Sequence, residues 1–334
     1  AGLTFGTNGF RLKFADNSSN AALGTDSSGN SNTWTVNNLT TAAALNPTAK
    51  QNFDVVTYTG NGGTQSIAGL SFQSDLVWIK ARNAAGGHVL QDSVRGTGNK
   101  VLASHSTAAE GSETYGQIQS FDANGFTVEP GSTSAENSNH SGRTYVAWCW
   151  NAGANSNKTY TVKVVSDSGN KYRFDDFGAS AVTLDLAEGS TYVFDQSDSS
   201  NSGHPLRFST TSNGTHGGGS EYTTGVTVTG TPGSAGAKTT IVVASGAATL
   251  YYYCTQHSGM GGQANTNSTA GASNFDGSIQ SIVKANADYG FSVVAYTGNT
   301  LAGATVGHGL SSDPKFILVK CRNAAEPWVA FHTS

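Results

Sequence analysis

The chain carries little charge. Only 12% of its 334 residues are Asp, Glu, Lys or Arg, about half of the fraction in a typical globular domain. The 18 basic and 22 acidic residues give a formal net charge of -4 without a Lys/Arg cluster. This argues against a nucleic-acid partner and a polybasic membrane patch. Hydrophobic residues still make up 37% of the chain, enough to form packed cores.

Cysteine pairs, long apolar runs and common catalytic motifs are also missing. The three cysteines include no Cys-x2-Cys pair, which argues against a disulfide framework and a zinc ribbon. No stretch approaches the roughly 20 apolar residues of a membrane span. No signal peptide opens the chain, and its start at Ala1 indicates a processed terminus or a fragment edge. Because hydrolase and nucleotide-binding motifs are absent, we expect a protein that is not an enzyme.

Short alternating runs predict an all-β fold. Residues 159–165 and 239–243 are rich in Val and Thr and are bounded by polar and turn-forming residues. No long helical pattern competes with them. We therefore expect several small β-sandwich domains in tandem.

An internal repeat is the strongest sign of domain organisation. Residues 53–61 (FDVVTYTGN) return as residues 291–299 (FSVVAYTGN), at an offset of 238. Residues 77–85 (VWIKARNAA) return as residues 317–325 (ILVKCRNAA), at an offset of 240. The two-residue difference falls in a loop, where insertions are tolerated.

The repeat divides the chain into four predicted segments. Residues 1–50 are the end of an upstream β domain or an N-terminal arm, because so few strands cannot form a core alone. Residues 51–155 are the first repeat copy, and residues 156–268 form a different unit. Residues 269–334 are a linker and a truncated second copy, so we expect the native chain to continue.

Polar composition predicts where these segments are connected. Residues 151–157 and 265–274 are rich in Asn, Ser, Thr, Gly and Ala and are interpreted as hinges. Near the N-terminus, residues 9–14 and 32–36 are predicted strands around the polar turn at residues 16–20.

One group of residues has the chemistry of a metal site. Cys254, His257 and Met260 follow a strand in the pattern Cys-x2-His-x2-Met, and His204 opens another strand upstream. A thiolate, two imidazoles and a weak axial thioether are the ligands of a blue-copper site. A strand end can anchor one ligand while a short loop presents two more. The sequence therefore predicts a copper site formed by His204, Cys254, His257 and Met260.

The same residues resemble the cupredoxin family. A strand-turn-strand at residues 182–194, then His204, then the Cys-His-Met loop follow the cupredoxin order, and the loop length is similar to that of the amicyanin branch. The resemblance implies that residues 156–268 form a Greek-key β-sandwich with these four side chains as copper ligands. The polar segment 212–236 and the lack of a hydrophobic docking patch around His257 depart from electron-transfer cupredoxins.

Structural roles for the candidate residues stay open. A buried cysteine, a loop histidine and a methionine near a turn commonly serve packing and hydrogen bonding, so the unit could be a cupredoxin fold without copper. His88, His105 and His140 are interpreted as loop histidines, because nothing fixes a nucleophile beside them. Cys149 is expected to pack. Cys321, which aligns with an alanine of the first copy, is predicted to be a small buried residue.

Two basic residues recur with the repeat. Lys80 and Arg82 return as Lys320 and Arg322, and residues two apart on a strand share one face. They either line a solvated strand face or form a charged contact with a neighbouring domain or subunit. The segment 122–125 is interpreted as a turn rather than a calcium loop, because the twelfth position lacks a glutamate.

The repeat unit resembles a module of virus particles. FDVVTYTGN, GLSFQSDLVWIKARNAA, GFTVEP and RTYVAWCWNAG are similar to a module of tail-fibre and virion structural proteins of marine tailed bacteriophages. Residues 9–38 resemble the closing segment of a concanavalin-like domain in the same proteins. The resemblance implies a virion or extracellular location and a role in building the particle or binding the host. Its expected partners are other virion proteins, further copies in a homo-oligomer, and a host glycan or protein receptor.

These observations lead to ranked hypotheses. The first is a non-catalytic virion structural or adhesion protein. The alternative is a copper-binding, cupredoxin-type protein for electron transfer or copper handling. A glycan-cleaving enzyme comes last, because the sequence shows no close Asp/Glu pair. The first two can be joined, since a bound metal could simply stabilise one β-sandwich.

Overall fold

The structure is a computed structural model that describes residues 6–13, 20–35, 51–111 and 114–333. Strands contain 38% of the residues and helices 3%, which confirms the predicted all-β fold with several separate sheets. The chain divides into two units, Ala1–Asp54 and Val55–Ser334. No helix among the described residues combines the length and the hydropathy needed to cross a bilayer.

The first unit lacks the predicted strand pair in its described part. It contains the short helix α1 (Asn20–Leu23) and an isolated antiparallel bridge between Leu12 and Asp26. The Asp26 carboxylate accepts hydrogen bonds from the backbone N–H groups of Arg11, Ser28 and Asn32. A side chain that takes up backbone donors competes with a strand ladder, and a loop results. The rest of the prediction, at residues 14–19 and 36, lies outside the described residues.

The first repeat copy is a β-sandwich. One sheet has the order β1-β7-β3-β4 and consists of β1 (Phe53–Thr59), β3 (Leu76–Ala81), β4 (His88–Asp92) and β7 (Thr144–Trp150). The other sheet has the order β2-β6-β5 and consists of β2 (Gln65–Ala68), β5 (Gln117–Asp122) and β6 (Gly125–Glu129). Inward-facing residues alternate along β3 and β7, as the period of a half-buried strand requires.

Two details of this copy follow from its sequence. Cys149 is fully buried in the core of the sandwich and packs there as predicted. The β5–β6 connection is the predicted tight turn at residues 122–125. Gly125 is required in it, because a Cβ atom at this position would lie 1.9 Å from the carbonyl oxygen of Ile67.

The middle of the chain forms a second sandwich around its own core. The five-stranded sheet has the order β13-β14-β11-β8-β9 and consists of β8 (Lys158–Ser166), β9 (Asn170–Phe174), β11 (Thr191–Asp195), β13 (Val226–Thr229) and β14 (Lys238–Val242). The four-stranded sheet has the order β10-β16-β15-β12 and consists of β10 (Leu184–Asp185), β12 (Leu206–Ser209), β15 (Leu250–Cys254) and β16 (Gly262–Asn265). We call this part the middle module. Its Greek-key cupredoxin topology stays a prediction.

Irregular segments complete the middle module. Short 3-10 helices occupy Ser199–Asn201 and Gly214–Gly217. The core contains large aromatic side chains with little or no exposure, among them Tyr160, Phe174 and Phe194. Burial of such rings supplies much of the hydrophobic stabilisation of a small sandwich.

The C-terminal region contains two small sheets. One has the order β17-β18-β19 and consists of β17 (Ala272–Asn274), β18 (Ser281–Asn286) and β19 (Phe291–Tyr296). The other pairs β20 (Phe316–Val319) with β21 (Val329–His332). The β20–β21 hairpin is largely exposed, whereas the matching residues of β3 and β4 are mostly buried in the first copy.

The two polar connections are not free hinges. Ala152 in the first connection is fully buried, and Ser273 and Asn274 in the second belong to the buried strand β17. Ala272, in the same strand, joins the core of the middle module. The prediction of hinges from composition failed because Ala, Ser and Asn can be buried where their polar atoms have hydrogen-bond partners.

Polar contacts join the C-terminal region to the first repeat copy. Lys284 on β18 forms a buried ion pair with Asp75 (Nζ–Oδ1 2.7 Å). Arg322 forms an ion pair with Glu110 (2.8 Å), which also binds Arg95 (2.8 Å). The recurring basic residues were predicted either to line a solvated strand face or to form a charged contact with a neighbour. Arg322 forms such a contact, with a neighbouring segment of the same chain. Lys320 does so too, since its Nζ donates to the carbonyl oxygen of Thr107 (3.2 Å).

Candidate metal centre

Three of the four predicted ligands converge at one end of the middle module. Cys254 is the last residue of β15 and is fully buried. Its register partner in the ladder is Leu206 at the start of β12, which places His204 on the adjoining loop. His257 lies three residues beyond Cys254 on an exposed turn. The pairing of two neighbouring strands therefore explains how ligands 50 residues apart meet.

Both imidazoles present the same ring nitrogen to the thiol. Cys254 Sγ lies 3.9 Å from His204 Nδ1 and 3.8 Å from His257 Nδ1. With metal–sulfur and metal–nitrogen bonds of about 2.3 and 2.1 Å, ligands spread by about 120° have sulfur and nitrogen roughly 3.8 Å apart. The donor set and its spacing fit a trigonal His2Cys metal site. In the described part of the chain, it is the one such cluster of three or more His, Cys, Asp or Glu residues.

Met260 is buried on the same loop. Its side chain is 1% exposed and belongs to the module core, and its carbonyl oxygen accepts a hydrogen bond from the Tyr172 N–H (3.0 Å). Its role as an axial ligand stays a prediction. A weak axial thioether is consistent with a His2Cys copper centre, in which the axial bond is long.

Buried polar side chains fix the backbone at His204. The Tyr172 hydroxyl and the Gln196 side-chain amide both donate to the His204 carbonyl oxygen, each at 2.8 Å. The Gln196 side-chain oxygen accepts from the Leu206 N–H (3.1 Å). Gln196 thus holds the backbone that directly follows the histidine. Residues that orient a ligand in this way are known to tune metal affinity.

The loop that carries His257 is anchored by Asn213 and Lys171. The Asn213 side chain donates to Ser258 Oγ and accepts from the Gly259 N–H, both at 2.8 Å. Lys171 Nζ donates to the Gly259 carbonyl oxygen (2.5 Å). Asn213 has a left-handed backbone conformation (φ 60°), which asparagine tolerates better than most residues. These bonds hold the turn against the body of the module.

The surroundings of His204 favour the form of its side chain that binds a metal. Burial lowers the pKa of His204 below its usual 6.5, and the neighbouring His257 lowers it further. The neutral imidazole is the form that coordinates a metal. His216 is close by, and its Nε2 donates to the carbonyl oxygen of Cys254 (3.0 Å), so it supports the backbone of the thiol ligand.

The sequence predicted the candidate ligands but not the residues that position them. Tyr172, Gln196 and Asn213 lie 32, 8 and 45 or 46 residues from their partners. Only Asn213 had a local signal, the Asn-Gly dipeptide that marks a turn.

The remaining histidines and Cys321 form no comparable centre. Trp78 Nε1 donates to His88 Nδ1 (2.8 Å), the His88 N–H donates to His105 Nδ1 (3.1 Å), and His140 Nδ1 contacts the carbonyl oxygen of Ser141 (2.9 Å). His105 and His140 lie in loops as predicted, whereas His88 is the first residue of β4, so its interpretation as a loop histidine was wrong. Cys321 is partly exposed rather than buried as predicted, and within residues 269–333 no second sheet covers the C-terminal hairpin.

Comparison with protein families adds one finding. The profile of DUF7483, described as a domain of unknown function, matches residues 48–180 and 263–334, which together make up more than half of the chain. The chain belongs to the DUF7483 family. The DUF7483 match includes both repeat copies, but all four predicted metal ligands fall between its two stretches. No curated protein and no solved structure was found to match the chain.

Proposed function

We propose that this chain is a non-catalytic structural or adhesion protein of a bacteriophage particle, and that its middle module binds copper. The contact between repeat copies supports the structural role. Asp75 and Lys284 are 1% and 7% exposed, and they join segments 209 residues apart. A buried ion pair favours one fixed orientation of the two segments that it joins, and a fixed orientation suits a protein that is built into a particle.

The proposed partners follow from the same role. Other virion proteins, further copies of the chain and a host glycan or protein receptor are the expected contacts, at a virion or extracellular location. Support comes from the resemblance of the repeat to tail-fibre modules and from the low net charge of -4.

Mass spectrometry of purified particles tests the structural proposal. We expect peptides from both repeat copies to co-sediment with intact particles at a fixed ratio to the major capsid protein. Recovery of the chain only as a free protein in infected cells, with none in particles, would contradict the proposal.

Copper binding is supported by the convergence of Cys254 Sγ with two Nδ1 atoms at 3.8 and 3.9 Å. His204, Cys254 and His257 would hold the ion, with Met260 as the weak fourth ligand. A bound copper ion would supply one-electron redox chemistry and an intense thiolate absorption. In a structural protein its main effect would be to stabilise the fold, because an ion that binds only the folded state adds its binding free energy to folding.

A copper titration of the full chain, followed by visible absorption and thermal unfolding, tests this proposal. We expect a strong thiolate-to-copper band and a rise in Tm on adding one equivalent of copper, both lost in Cys254→Ser. Cys321→Ser is the matched control and should keep both. A folded wild-type chain with Cys254 reduced, no band and no change in Tm would refute copper binding.

Electron transfer is the second candidate, because His257 is exposed at the rim of the cluster and could carry electrons to a partner. It requires a reversible copper potential in the physiological range. Voltammetry of the copper-loaded chain decides between the two roles: a redox-silent ion leaves only the stabilising one.

A further inference from the structure

Lys158 and Asn274 meet where the chain enters and leaves the middle module. Lys158 begins β8 and Asn274 ends β17, and Lys158 Nζ lies 2.5 Å from Asn274 Oδ1. Asn274 is 3% exposed, and its Nδ2 atom is buried with no hydrogen-bond partner. A buried amide nitrogen without a partner is rare in folded proteins and calls for an explanation.

The surroundings of this pair are aromatic and acidic. Lys158 Nζ lies 5.6 Å from the centre of the Tyr160 ring, which packs against Phe174 and Phe275. A lysine attacks a carbonyl carbon as the neutral amine, so the reaction needs a group that takes a proton from Nζ. Burial raises the pKa of the nearby Asp175 carboxyl, although the Lys158 charge and a hydrogen bond from Thr161 oppose this shift. A carboxyl group that holds its proton more tightly than usual can act as a general acid.

We propose that Lys158 and Asn274 form an intramolecular isopeptide bond. Lys158 Nζ attacks Asn274 Cγ, the C–N bond to Nδ2 breaks, and Nδ2 leaves as ammonia. The Lys158 ammonium gives up two protons: one makes the departing Nδ2 group ammonia, and the other converts that ammonia to ammonium. We assign the proton transfer to Asp175, whose carboxyl group is close enough to feel the Lys158 charge. The atoms and charges balance without an oxidant or a co-reactant. The Asn274 Nδ2 atom is the leaving group, and no hydrogen bond has to break when it departs.

The buried lysine–carboxylate pair of Lys284 and Asp75 differs in character from the lysine–amide pair of Lys158 and Asn274. Asp75 Oδ1 accepts from Lys284 Nζ and Ser93 Oγ, and Asp75 Oδ2 accepts from the Ala152 N–H. Both carboxylate oxygens are thus satisfied by donors, as in a structural ion pair. A bond at this pair would release water and lower the mass by about 18 Da, whereas the proposed bond releases ammonia and lowers it by about 17 Da.

The bond would close a covalent ring around the middle module. Its two residues are 116 positions apart, so the ring contains the whole predicted metal site. A cross-link over so long a loop restricts the unfolded chain strongly, and we expect it to raise the Tm of the module by about 10 °C. This inference is independent of the proposed function, and neither copper binding nor assembly is needed for it.

Intact-mass spectrometry of the purified full chain tests the proposal. We expect a mass about 17 Da below that of the sequence. A tryptic digest should contain residues 144–163 cross-linked to residues 239–284, because trypsin cannot cleave after an acylated Lys158. An unshifted mass with free peptide 144–158 would overturn the proposal. So would the loss of about 17 Da without the cross-linked peptide, since an asparagine succinimide gives the same mass change.

Conservative variants separate the bond from its surroundings. Lys158→Arg keeps the positive charge but cannot form the amide, so it should restore the full mass and lower the Tm. Lys163→Arg, on the same strand, should retain the loss of about 17 Da. Asp175→Asn should slow bond formation after refolding. Bond formation at the wild-type rate in that variant would remove Asp175 from the reaction.

Discussion

The ligand side chains of the metal centre depend on residues that fix their backbone. Cys254 is held by a strand, but His257 lies on a turn whose only side-chain anchors among the described contacts are Asn213 and Lys171. A mobile turn binds a metal less tightly, because part of the binding free energy is then used to order the ligand side chain.

Replacement of Asn213 tests this dependence. Asn213→Gly keeps the left-handed backbone and removes both hydrogen bonds to the turn. We expect an approximately tenfold weaker copper affinity with little change in the Tm of the copper-free chain. A competitive chelator titration measures the affinity, and Asn155→Gly, at an exposed loop position, is the control. An unchanged affinity would show that the turn is ordered without Asn213.

At the scale of elements, Glu110 links the first repeat copy to the C-terminal region. Its carboxylate is 9% exposed and contacts Arg95 and Arg322, which are 6% and 38% exposed. Burial alone would raise the pKa of Glu110, but the hydrogen bonds from Arg322 and Arg95 outweigh it and lower the pKa below 4.5. The stability from this group is complete above pH 4.5 and is lost as the pH falls through the lowered pKa.

The variant Glu110→Gln should therefore be less stable than the wild type at pH 7, by about 2 kcal/mol, because Arg95 loses a charge partner in a buried position. The difference should shrink as the pH falls from 4.5 towards the lowered pKa of Glu110 in the folded protein. Chemical denaturation at pH 7 and pH 3 measures it, with the exposed Glu326→Gln as control. A difference that is equal at both pH values would contradict the ion-pair explanation.

Local sequence patterns predicted where strands form, but they did not predict which residues are buried or which distant residues are in contact. The alternating runs at residues 159–165 and 239–243 became β8 and β14, because period-2 alternation directly reports a half-buried strand. The buried strand β17 was predicted as a hinge, since Ala, Ser and Asn carry no signal of burial. The same limit applies to the metal centre: spacing revealed Cys254 and His257, while long-range contacts placed the supporting residues.

At the scale of the whole molecule, the repeat copies differ in what covers them. Val89 on β4 is fully buried, whereas the matching Val329 on β21 is 62% exposed. Phe316 and Phe331 on the same hairpin are 59% and 55% exposed. Within residues 269–333, no counterpart of the second sheet of the first copy covers this surface. Apolar side chains along an unprotected hairpin favour association with other chains.

We therefore expect a polypeptide of residues 1–334 to self-associate in a concentration-dependent way through the β20–β21 hairpin. Val329→Lys should shift the equilibrium towards monomer, because burying an unpaired charge opposes association. Sedimentation equilibrium up to about 100 µM chain measures the shift. Val228→Lys, at an exposed position of β13, should leave association unchanged. A wild-type chain that stays monomeric over this range would refute the expectation.

The entry and exit of the middle module lie side by side. Ser156 Oγ donates to the Ala270 carbonyl oxygen (2.6 Å). Lys158, two residues after Ser156, contacts Asn274, four residues after Ala270. A force that pulls the two flanking repeats apart would therefore pass through these two contacts. The rest of the middle module would carry little of this force, because its entry and exit are joined before it. A chain pulled at these repeats would load the contacts between entry and exit first, and His204, Cys254 and His257 would carry little force until those contacts break.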